Sequence, residues 1–126
     1  MRWLWEWLTW GVEGGTRSRQ LARLRDGVAR VRRRADYHRE CLDEARGEFD
    51  RASRRVRFFE ISEDAEVSDL VVAHRNLLRA RDAVEHHEER LRTARGAYEM
   101  MAWDRLRLQE GLDPEHWEAY SMDLDR

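Results

Sequence analysis

Apolar residues recur at alternating spacings of three and four along two long stretches of this chain. That recurrence constrains the fold more than any other feature. The first stretch reads Leu21, Leu24, Val28, Val31, Ala35, His38, Leu42, Ala45, Phe49, Ala52, Val56 and Phe59. The second reads Leu70, Ala73, Leu77, Ala80, Val84, His87, Leu91, Ala94, Tyr98, Met101, Arg105 and Leu108. A repeat averaging 3.5 residues lays a seam along one face of an α-helix, and two such seams wind left-handedly around each other. The only proline, Pro114, lies beyond both stretches, so neither is forced to break. Between them sits ISEDAEVSD (61–69), short, polar and acidic. The pattern predicts an all-α fold: a long antiparallel helical hairpin, or two-stranded coiled coil, with arms over 16–60 and 68–110. Setting Phe59 opposite Leu70 and counting outward puts Ala52 opposite Leu77, Phe49 opposite Ala80 and Ala45 opposite Val84. Large side chains then mostly meet small ones, as a thin core requires.

The ends are read separately. Gly14-Gly15 predicts a break, with Thr16 as the N-cap of the first arm. Residues 1–15 then form a Trp-rich N-terminal anchor segment with its own short helix. Its polar residues Arg2, Glu6, Thr9 and Glu13 make one narrow stripe. The rest, with Trp3, Leu4, Trp5, Trp7, Leu8 and Trp10, is apolar nearly all round, and a helix of that kind must be buried. Three environments fit. One is a small core of the chain's own, with Met100, Trp103, Leu106, Trp117, Tyr120 and Met122. The others are a partner protein and a membrane interface, where Trp is at home. At the other end, Glu110-Gly111 closes the second arm. Asp113 and Pro114 are expected as N-cap and first residue of a short helix within an acidic tail, 111–126.

Several side chains on and beside the seam are candidate sites. His38 and His87 are polar intruders in neighbouring layers, with Cys41 on the flank. Together they are a conceivable zinc-ligand set, but a fourth ligand is missing. The preferred reading is that the two histidines fix register, so neither a metal nor any other cofactor is expected. One flank carries Arg25, Arg32, Arg39 and Arg46 from the first arm and Arg81, Glu88 and Arg95 from the second. Arg39 is expected to pair with Glu88, while Arg32 faces Arg95 and Arg46 faces Arg81. The opposite flank has small residues, Gly27, Cys41, Ala83 and Ala97. Near the turn, Phe58, Val71, Val72 and Leu78, with Ile61 and Val67, form an apolar patch away from the seam; patches of this kind mark contact sites.

Composition narrows the function. The chain has 126 residues, enough for one domain at most. All 24 basic residues are Arg, and the net charge is −2. That balance argues against a chain that coats nucleic acid along its length, although 17–34 alone holds eight Arg and one Asp. The single cysteine excludes an intrachain disulfide and fits a reducing compartment. No run of 18 apolar residues spans a membrane, and the N-terminus lacks the features of an ordinary signal peptide. Nothing resembles a Gly-rich phosphate loop, and a rod offers no concave pocket for a small-molecule substrate. The expectation is a non-enzymatic structural or adaptor subunit, intracellular and at a membrane surface. The mitochondrial inner membrane and the bacterial cytoplasm are both suitable settings. It braces a larger assembly of other protein subunits through its apolar ends and basic flank, as an accessory subunit of a respiratory or ATP-synthase-type complex does. The alternative is a basic helical module that binds nucleic acid or anionic lipid headgroups through 17–34.

Overall fold

The structure is a computed structural model that describes residues 2–124, with side chains from residue 16 onward. Two long helices, α1 (Arg2–Ile61) and α2 (Val67–Gln109), pack against each other; a short third helix, α3 (Trp117–Tyr120), runs into a 3-10 turn, Ser121–Asp123. No strand occurs among the described residues.

The apolar repeat lies on the covered faces of the two helices. Of its 24 positions, only Tyr98 is exposed, at 40%; the rest are buried or half-buried. One boundary differs. α1 is a single helix of 60 residues that passes through Gly14 and Gly15, so it neither breaks there nor begins at Thr16. Each glycine costs a helix interior roughly 0.5–1 kcal/mol relative to Ala, and neither removes a backbone donor as proline does. The side chains of Trp3, Leu4, Trp5, Trp7, Leu8 and Trp10 lie outside the described residues.

The chain divides into two compact units, Met1–Arg33 with Ala94–Arg126, and Arg34–Thr93. The second unit is a hairpin closed by a tight turn. Ser62 donates its N–H to the Phe58 carbonyl (3.1 Å), extending the α1 ladder by one residue. The Glu66 carbonyl then receives the N–H groups of Asp69 (3.1 Å) and Leu70 (3.3 Å), which starts α2. Acidic residues suit that position, because the helix N-terminus carries partial positive charge. The core of this unit is Leu42, Ala45, Val56, Ala73, Ala80 and Leu91.

The first unit joins the end of α2 to the tail. Gly111 adopts φ +80°, a left-handed conformation that glycine takes at little cost. Gly111 N–H donates to the Leu108 carbonyl (3.1 Å) and Leu112 N–H to that of Arg107 (2.8 Å). This is a Schellman cap, and it turns the chain back. The expected cap at Asp113 and Pro114 does not form; α3 begins after His116, with no side-chain cap. The segment before it is held by α2 instead. Arg107 Nε donates to the Asp113 carbonyl (2.7 Å), and the Asp104 carboxylate takes the next two backbone N–H groups. The tail's own contribution to the core is Tyr120 and Leu124; the long helices contribute buried Leu24, Met101 and Leu108. Trp103, Leu106 and Met122, which one of the three readings of the Trp segment places in a small core at this end, are 48%, 54% and 84% exposed.

Candidate interaction surfaces

Asp104 is the one fully buried charged residue among those described. Its Oδ1 accepts the Glu115 N–H at 2.8 Å and its Oδ2 the His116 N–H at 3.0 Å. Tyr120 donates its hydroxyl to Oδ2 at 2.5 Å. Burial, then the Asp104 hydrogen bond, then the Asp104 charge push the Tyr120 phenol well above its ordinary range. Around this clasp Trp103 Nε1 donates to Glu115 (3.0 Å), Arg107 pairs with Glu115 (3.0 Å), and the Arg23 guanidinium lies over the Trp117 ring at 5.3 Å. The clasp was not foreseen from the sequence. Its one signal is positional: Asp104 lies a heptad beyond Ala97, on the small-residue flank, where a buried side chain needs something to cover it. Gly27, on that flank, is buried beneath Leu124. A Cβ at Gly27 would collide with the Leu124 side chain and touch Met101 Sδ at 3.6 Å. The space therefore serves the chain's own tail.

In the second unit, His38 Nδ1 and His87 Nδ1 are 3.2 Å apart. One ring must carry its proton on Nδ1 and the other must accept it. Burial lowers the His38 pKa first, and the neighbouring His87, Arg90, His86 and Arg34 lower it further. Cys41 does not join the pair. It hydrogen-bonds Tyr37 instead, which raises the Tyr37 phenol pKa. Among the described residues no group of three His, Cys, Asp or Glu is placed to hold a metal ion. The sequence-derived set of His38, Cys41 and His87 thus reduces to two converging imidazoles.

Arg25, Arg32, Arg39, Arg46, Arg81 and Arg95 are all exposed. The expected Arg39–Glu88 pair is absent. Arg39 pairs with Asp36 one turn back on its own helix (3.7 Å), and Glu88 takes Arg46 (3.6 Å). Arg81 pairs with Glu85, one turn along its own helix (3.8 Å). Exposed pairs of either kind, along one helix or across the two, contribute little. Arg25, Arg32 and Arg95 form no ion pair with a described residue. Near the turn, Phe58, Val71, Val72 and Leu78 are 62%, 48%, 52% and 50% exposed, and Ile61 and Val67 reach 81% and 80%.

No family model matches the chain, and no curated protein or solved structure matches it. Among the described residues, no helix is long and apolar enough to cross a membrane.

Proposed function

We propose that this chain is a non-enzymatic helical brace that joins other protein subunits into a larger, membrane-associated assembly. One observation carries the reading: large apolar side chains stand exposed in both units of a chain that is 40% charged. A chain so rich in charge has polar side chains enough to cover its surface. Ile61, Val67 and Phe58 in one unit and Trp103 and Leu106 in the other therefore suit contact better than solvent. The Trp-rich segment supplies the principal anchor. Burying side chains of that size contributes on the order of 2–3 kcal/mol each before ordering costs. An accessory subunit of a respiratory or ATP-synthase-type complex is the kind of protein this describes.

The test is capture of tagged chain from its native source after gentle membrane solubilisation. A defined set of proteins should co-purify and resist raised salt, and replacing Trp3, Trp7 and Trp10 with Ser should lose it. Capture that disappears with nuclease, or that weakens steeply with salt through counterion release, would instead support nucleic-acid binding by the Arg-rich 17–34 segment. An unchanged protein set from the Trp variant would refute the anchoring role.

A further inference from the structure

We propose that the turn end of the second unit docks on the Arg-bearing flank of the first unit in another copy of this chain. The inference rests on the bracing role and names the occupant of one of its surfaces.

The turn end combines apolar exposure with a single sign of charge. Residues 58–69 hold five acidic side chains and no basic one. Glu60 lies 3.6 Å from His74. Glu63, Asp64, Glu66 and Asp69 are exposed and form no ion pair with a described residue. Among them stand Ile61 and Val67, four-fifths exposed. A surface of this composition selects a partner that is both basic and apolar.

The first unit presents such a surface. Its tail covers the flank of Gly27 and Asp104. The opposite flank keeps Arg25, Arg32 and Arg95, exposed and without ion pairs to described residues. Heptad phase places Leu106, 54% exposed, on that same side of α2. Arginine suits the match, because its guanidinium pairs with carboxylates while its stem covers apolar neighbours.

The two surfaces complement each other, and neither complements itself. Two turn ends would bring ten acidic groups together, and two Arg flanks would repel likewise, so like-to-like contacts are disfavoured. Each copy carries one surface of each kind. A reciprocal pair closes as a two-fold dimer, and a one-way contact continues as a chain.

Sedimentation velocity of the purified full chain over a concentration series tests the proposal. The expected result is concentration-dependent association that weakens roughly tenfold on moving from low to high salt. Two charge-reversed variants sharpen it: Glu63→Arg with Asp64→Arg, and Arg25→Glu with Arg32→Glu. All four sites are exposed, and circular dichroism checks that each variant keeps its helix. Each variant alone should be monomeric, and mixing the two should restore association, because reversed turn then meets reversed flank. A chain that stays monomeric throughout overturns the proposal, as does association that survives either reversal or a mixture that fails to associate. A monomeric chain that still captures its foreign partners would overturn this inference and leave the bracing role standing. Lost capture with self-association intact would do the reverse.

Discussion

Replacing Asp104 with Ala should release the tail while leaving the second unit intact. The carboxylate accepts three donors: two backbone N–H groups and the Tyr120 hydroxyl. Their costs differ with their surroundings. Tyr120 is 3% exposed, so its hydroxyl would lose its acceptor where water cannot easily replace it, at about 1–3 kcal/mol. Glu115 is exposed and His116 half-buried, so their N–H groups partly recover hydrogen bonds to water and add about 1 kcal/mol together. The total is about 3 kcal/mol. Amide exchange read by mass spectrometry is the appropriate assay, because it resolves tail from hairpin. Exchange across 113–124 should speed roughly a hundredfold, with 38–91 unchanged. Asp104→Asn keeps one acceptor oxygen but turns an NH2 toward a donor, and should fall between the two. If the Ala variant exchanges like the original chain, the carboxylate does not hold the tail, and the argument from satisfied donors fails.

Other outcomes follow from the same geometry. Gly27→Ala should cost roughly 1–2 kcal/mol by forcing Leu124 aside, and adding Leu124→Ala should recover part of the loss in a urea melt. The lowered His38 pKa means that the unfolded chain binds the proton more readily than the folded one. Stability of the second unit should therefore be full above about pH 6.5 and fall as the pH drops below it. Urea melts at stepped pH would read this, and His38→Leu with His87→Leu should flatten the profile. For Tyr120 the raised phenol pKa favours the neutral form in the folded chain, so the first unit should lose stability as pH rises above about 10. Tyr120→Phe should abolish that alkaline loss at a cost of about 1–2 kcal/mol near neutral pH, as thermal melts at stepped pH would show.

The hairpin was legible because a heptad pattern is redundant. Two polar histidines and Arg105 interrupt it without obscuring the seam, and 21 apolar positions outvote three. The tail was not legible, for the opposite reason. Its clasp rests on one aspartate whose partners are mostly backbone N–H groups, and backbone groups leave no trace in sequence. Gly14-Gly15 misled because a propensity cost of about 1 kcal/mol per glycine is small against the continuation of a helix on both sides. The Arg39–Glu88 pairing failed because long charged side chains choose among several partners within reach, and Asp36 on the same helix was one of them. His38 and His87 sit in neighbouring layers of the sequence-derived register and lie within hydrogen-bond distance.

The seat of Leu124 gives the hairpin a check against slippage. A heptad repeat is nearly degenerate: sliding α1 past α2 by seven residues again sets apolar positions opposite apolar positions. The tail breaks that degeneracy. Asp104 ties it to α2, while Leu124 rests on a glycine of α1. A slip of one heptad in either direction would bring Gln20 or Arg34 beneath Leu124 in place of Gly27. Neither leaves room for it, so only one alignment of the two arms lets the chain close.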